Sequence, residues 1–120
     1  MGGEKKAMWV LFKMCNMPTK EEMRKRFSDL YHIYRDHPGI DSKCWWVNEE
    51  KREWGALYIF KSEEILEEYL KSDLWVKEIP ERWGLKPEVT ILDPGPILCK
   101  ETVTQPENSW VTDEVEHKIL

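Results

Sequence analysis

Three side chains stand out as capable of proton chemistry: Tyr58 in the run EWGALYIF, Lys43 in IDSKCWWVN, and Lys13 near the end of MWVLFKMCNM. A phenol in apolar surroundings can donate to a developing oxyanion, or lose its proton to activate a phenolic substrate. A partly desolvated lysine has a lowered pKa and can stabilise an enolate or phenolate. Each has a structural alternative. A buried tyrosine can serve packing alone; a lysine can snorkel, line a subunit interface, or, for Lys43, pair with Asp41 or an acid across the hairpin. Trp9, Trp45 and Trp54 would wall a pocket for a flat ligand, with Leu11, Phe60 and Leu92 beside them, and aromatic walls also suit a dimer core.

Other chemistries lack their residues. Cys15, Cys44 and Cys99 are odd in number, no pair stands two apart, and none has histidine at ligand spacing. No disulfide framework, zinc site or other metal is expected, and reduced thiols point to a cytoplasmic protein. There is no Gly-rich phosphate loop, no Gly-x-Ser-x-Gly and no evident acidic pair. His37 falls at a helix C-terminus, where the dipole favours a cation.

The elements that must carry these residues follow from periodicity. Ala7 to Met17 is apolar nearly throughout and reads as a buried strand stopped by Pro18. Thr19 and Glu22 form a capping box for a helix with a stripe of Met23, Phe27, Leu30, Tyr31 and Tyr34, ending before Pro38-Gly39. Ile40 to Asn48 and Glu53 to Phe60 make an antiparallel hairpin. Ser62 caps a second helix through Lys71, and a turn or short helix covers Asp73 to Trp83, with Pro80 expected to break or kink it. Pro87 to Leu92 is a fourth strand. Strand, helix, strand, strand, helix, strand is the α+β, ferredoxin-like order with an antiparallel sheet. The domain is placed at residues 1–96, with 97–120 a C-terminal extension: an extra strand over Ile97 to Val103, or an arm on a partner.

Helices in this order cover one face of the sheet. Alternation along each strand gives two sets. The cleaner apolar set, Met8, Val10 and Phe12 with Gly55, Leu57 and Ile59, is expected beneath the helices, where Gly55 would admit a helix. The other set holds Trp9, Leu11 and Lys13, Lys43 and Trp45, Trp54, Tyr58 and Phe60, and Leu92. An open face of that composition is expected to be covered by a second subunit and by a ligand.

The chain has 120 residues, one domain's worth, with 18 basic and 23 acidic side chains for a net charge of −5. Acidic balance argues against nucleic acid. The longest uncharged apolar run, Ala7 to Phe12, is far short of the roughly 20 residues of a membrane span, and no cleaved signal peptide is expected.

HPGI at 37–40, KCW at 43–45 and WGALYIFKSEEILEEYL at 54–70 together resemble the YdhR-like monooxygenases. That family belongs to the dimeric α/β-barrel superfamily, close to the antibiotic-biosynthesis monooxygenases. Pro38-Gly39, Lys43, Trp45, Gly55, Tyr58, Phe60 and Tyr69-Leu70 match its pattern, and Ala56 replaces the second glycine of Gly-Gly-x-Tyr-x-Phe. The resemblance spans Ala7 to Asp93. It implies a homodimer with an apolar pocket in each subunit, and a small hydrophobic, aromatic or polyketide-like substrate oxidised without flavin, haem or metal. Haem degradation is not implied, because those relatives use a histidine on the second helix and Ser62 to Lys71 has none. The alternatives are a cyclase or isomerase on the same scaffold, or a non-catalytic small-molecule-binding stress protein.

Overall fold

The computed structural model describes residues 4–98. Strand β1 (Lys6–Lys13) leads to helix α1 (Lys20–Arg35), the hairpin β2 (Ile40–Asn48) and β3 (Glu53–Phe60), and helix α2 (Glu63–Lys71). A π-helical turn, Leu74–Glu78, runs into the short α3 (Ile79–Trp83), and β4 (Glu88–Leu92) closes the order. The sheet is antiparallel throughout, in the order β2-β3-β1-β4. This is the ferredoxin-like α+β arrangement read from the sequence. None of the helices among the described residues is long and apolar enough to cross a membrane.

Local chemistry sets the boundaries. The Thr19 hydroxyl accepts the Glu22 N–H at 3.2 Å and the Glu22 carboxylate accepts the Thr19 N–H at 3.3 Å, the reciprocal box that starts α1. Ser62 accepts the Ile65 N–H at 3.2 Å and starts α2 in the same way. β1 is shorter than its apolar run, ending at Lys13. Pro80 begins a helix instead of breaking one. It lies in the first turn of α3, where an absent N–H leaves nothing unsatisfied, and Gly84 ends that helix at φ 75°. Ile97 and Leu98 are exposed and carry no strand, while the remainder of the expected extra strand and arm lies outside the described residues.

The two faces differ from the sorting made on alternation alone. Within the hairpin the pairing is as expected: Lys43 opposes Tyr58, Trp45 opposes Ala56, and Val47 opposes Trp54. Across β1 it is reversed. Met8 pairs with Tyr58, Val10 with Ala56 and Phe12 with Trp54, so these share one face, joined by Val89 and Ile91 of β4. That face lies under the helices, where Met23, Phe27, Leu30 and Tyr34 of α1 and Leu66 and Tyr69 of α2 are buried against it. The open face carries Trp9, Leu11, Trp46, Leu57 and Leu92, with Trp9 and Trp46 stacked at 5.1 Å. Gly55 also sits there. A Cβ on it would lie 1.8 Å from the Val10 carbonyl oxygen and 2.9 Å from the Trp46 ring, so the glycine admits a neighbouring strand and an indole, not a helix.

A bulge at Asp41 completes the geometry. Ile40 opposes Phe60 and Ser42 opposes Ile59, leaving Asp41 as the extra residue, its carboxylate paired with Lys5 and Lys61. The inserted residue lets Ile40, Lys43 and Trp45 all reach the helix-covered face.

Candidate active site

Between sheet and helices lies a cavity of about 20 Å³. The sheet lines it with Val10, Phe12, Lys43, Trp45, Trp54 and Tyr58, above Ala56. Leu30 and Tyr34 come from α1, and Trp75, Ile79 and Trp83 from the segment that follows α2. The volume holds one or two waters and is far below the roughly 300 Å³ of a pocket that encloses a drug-sized ligand. Trp75, Ile79 and Trp83 make the Leu74–Trp83 segment one wall of this cavity.

Lys43 occupies an unusual place. β2 is an edge strand and the residue as a whole is only half-buried, but its amine sits among three aromatic rings. The Nζ lies 3.1 Å from the ring centre of Tyr34 and 4.3 Å from those of both Trp45 and Tyr58. It makes no ion pair among the described residues, whereas Lys5, Lys6, Lys13, Lys61 and Lys77 all do. The alternative pairing with Asp41 is not made; that carboxylate, at the bulge, pairs with Lys5 and Lys61. Burial without a counter-charge pushes the amine well below the usual lysine value. The ring faces oppose this, at up to about 2 kcal/mol each when desolvated, and so keep the protonated form within reach.

Three buried phenols stand beside it. Tyr69 on α2 shares hydrogen bonds with Tyr34 at 3.0 Å and with Tyr58 at 3.1 Å. Burial, and for Tyr58 and Tyr69 the neighbouring phenols as well, pushes all three phenols above their usual value, Tyr58 and Tyr69 well above. Of the two roles open to Tyr58, loss of its proton to activate a substrate is thus disfavoured and hydrogen-bond donation fits. Lys43 is then the one cavity-lining group suited to accept a proton.

The expected site residues divide cleanly. Tyr58, Lys43, Trp45 and Trp54 come together at the cavity. Phe60 is fully buried and stacks on Tyr58 at 5.6 Å, behind the lining. Trp9, Leu11, Lys13 and Leu92 project from the opposite face, and Lys13 is an exposed lysine paired with Glu88 at 3.4 Å. None of these four can share a ligand with Tyr58 in one chain. Tyr34, Tyr69, Trp75 and Trp83 were not assigned to the site from sequence. The available signal was that both helices put tyrosine on their buried stripe, and that the turn after α2 holds two tryptophans. Trp83 packs at 4.1 Å against Trp54, which in turn stacks at 4.1 Å on Phe12. No group of three or more histidine, cysteine or acidic side chains that could hold a metal ion is found among the described residues.

Solved structures share the fold. Rv0793 from Mycobacterium tuberculosis superposes with a TM-score of 0.59 at 18% identity, over 80% of this chain and 100% of that one. SnoaB, a cofactor-independent oxygenase from Streptomyces nogalater, gives 0.60 at 10% identity, over 80% and 98%. A monooxygenase from the gene ActVA-Orf6 of Streptomyces coelicolor, in complex with Nanaomycin D, gives 0.58 at 14% identity, over 82% and 94%. No curated protein shows a significant match. A family model, "Putative mono-oxygenase ydhR", matches residues 8–86, which is most of the chain and includes every cavity-lining residue. The chain belongs to this ydhR mono-oxygenase family.

Proposed function

We propose that the protein is a cofactor-independent monooxygenase acting on a small hydrophobic aromatic substrate held between sheet and helices. The observation that carries the reading is the Lys43 amine set among three rings, with no counter-ion among the described residues, beside two phenols held in the donor form. Lys43 accepts a proton from an acidic C–H or phenolic O–H, and its ammonium then faces the enolate or phenolate it has made. Tyr58 and Tyr34 donate to the developing oxyanion. For an anthrone-like carbon the balance is complete without an external reductant. The carbanion forms a C–O bond to dioxygen, the outer peroxide oxygen takes the proton from Lys43, and loss of water leaves a ketone. SnoaB, a relative in fold, is an oxygenase of the cofactor-independent kind, which supports this class. Trp45 and Trp54 supply flat walls, and entry displaces the Leu74–Trp83 wall.

The open face, with Trp9, Leu11, Trp46, Leu57 and Leu92, suits a second copy of the chain packed sheet to sheet about a two-fold axis. Light scattering distinguishes that dimer from a 14.4 kDa monomer.

Oxygen uptake with a panel of phenols and anthrones, using metal- and flavin-free protein, tests the reaction. Stoichiometric uptake is expected, falling about 10-fold to 10⁴-fold in Tyr58→Phe, the range for loss of an acid–base or oxyanion group. Turnover to a cyclised or isomerised product without oxygen uptake would assign the scaffold to that chemistry instead. Unchanged turnover in Tyr58→Phe, with a lowered melting temperature, would make Tyr58 a packing residue.

A further inference from the structure

We propose that Lys43 is a carbonyl-capturing nucleophile, forming a Schiff base with the carbonyl end of an uncharged aldehyde or ketone that enters the cavity. The proposal goes beyond the oxygenase reading and does not depend on it.

Geometry carries it. A lysine serves as a nucleophile when its amine is neutral at working pH, and this needs an apolar site with no carboxylate to hold the proton. Among the described residues one lysine is so placed. Its Nζ is bounded by Tyr34, Trp45 and Tyr58, and it borders the apolar cavity. The five lysines named above as paired rest on carboxylates at the surface. The lowered basicity of Lys43 agrees with this placement. An uncharged carbonyl end suits the largely apolar lining, which it can enter without the desolvation cost that a carboxylate or phosphate would bear.

The chemistry balances with the groups present. Nζ attacks the carbonyl carbon, forming the C–N bond, and a proton passes from nitrogen to oxygen to give a carbinolamine. The Tyr58 or Tyr34 hydroxyl assists departure of the hydroxyl group, which leaves as water, and the C=N bond remains. The phenol regains its proton from the nitrogen or from Tyr69, which hydrogen-bonds both. No oxidant or reductant is consumed.

Reductive trapping tests it in the full chain. The protein is treated at neutral pH with limiting propanal and sodium cyanoborohydride, which reduces the imine to a stable propylamine, and the modified residue is located by peptide mapping. Lys43 is expected to be modified several-fold faster than any exposed lysine, because burial leaves more of its amine unprotonated at neutral pH. Tyr58→Phe should slow this labelling several-fold without redirecting it, and Lys43→Met should leave only the slow surface reaction. Propyl groups spread over the exposed lysines, with Lys43 unmodified in the wild-type map, would overturn the proposal even if Lys43→Met failed to fold. The assay needs no dioxygen and no turnover, so a negative result here leaves the oxygenase reading standing, and absent oxygen uptake leaves this one standing.

Discussion

Replacing Lys43 with methionine should stabilise the protein at neutral pH, by an amount that shrinks as the pH rises. The side chains are similar in length, and replacing an unpaired buried charge with an apolar group is neutral to stabilising. The pH dependence comes from linkage. Burial holds the Lys43 amine below the value of about 10.4 that it has in an unfolded chain. Between those two values the unfolded chain binds more protons than the folded one, so wild-type stability rises with pH across that window. Below the window the penalty is present in full and constant; above it the amine is neutral in both states. Each fully differential proton contributes a slope of about 1.4 kcal/mol per pH unit. Methionine has no such proton, and the exposed groups common to both proteins cancel in the difference. Urea unfolding followed by tryptophan fluorescence, from about pH 6 to pH 10, should therefore show the variant's advantage narrowing by up to that slope. A difference that stays flat, or grows with pH, would mean that the ring faces of Tyr34, Trp45 and Tyr58 outweigh the cost of burial. Lys43 would then be a permanent cation and not a proton acceptor.

Gly55→Ala should cost upwards of about 3 kcal/mol in chemical denaturation, because its Cβ would fall 1.8 Å from a backbone oxygen of β1 that cannot step aside; a loss under about 1 kcal/mol would show that β3 can shift there. Lys13→Ala removes an exposed ion pair with Glu88 and should change stability by less than about 1 kcal/mol, with phenol binding by fluorescence quenching unaffected. A marked loss of binding would return Lys13 to the site. Trp75→Ala should destabilise by about 2–3 kcal/mol while speeding the association of bulky phenols in stopped flow, as expected of a residue that walls the cavity. Unchanged association would place entry elsewhere.

The sequence specified the elements more fully than the way they join. The bounds of β2, β3 and α2 follow from a polar turn, a serine cap and alternation, all local signals. The pairing of Lys43 with Tyr58 follows too, since a short hairpin fixes its own register. The side of the sheet on which β1 joins that hairpin does not follow. β1 reaches it through the whole of α1, so the parity is set only when the strands dock, and one step of parity exchanges every side chain. Trp54, Tyr58 and Phe60 of β3 went under the helices with Met8, Val10 and Phe12 of β1, and this moved Trp9, Leu11, Lys13 and Leu92 away from Tyr58. The phenol cluster was hidden for a related reason. Tyr34 and Tyr69 stand 35 residues apart on separate helices, and only tertiary packing brings their hydroxyls together. The Asp41 bulge, which withdraws the nearest carboxylate from Lys43, likewise has no mark in the strand's alternation.

The location of the site is tested most directly by a crystal structure with a flat phenol bound. Density is expected on the helix-covered face, with the ligand oxygen within hydrogen-bonding reach of Lys43 Nζ and the Tyr58 hydroxyl, the ring against Trp45 or Trp54, and the Leu74–Trp83 wall displaced. Density on the open face against the stacked Trp9 and Trp46, with Lys43 still enclosed by its three rings, would contradict it.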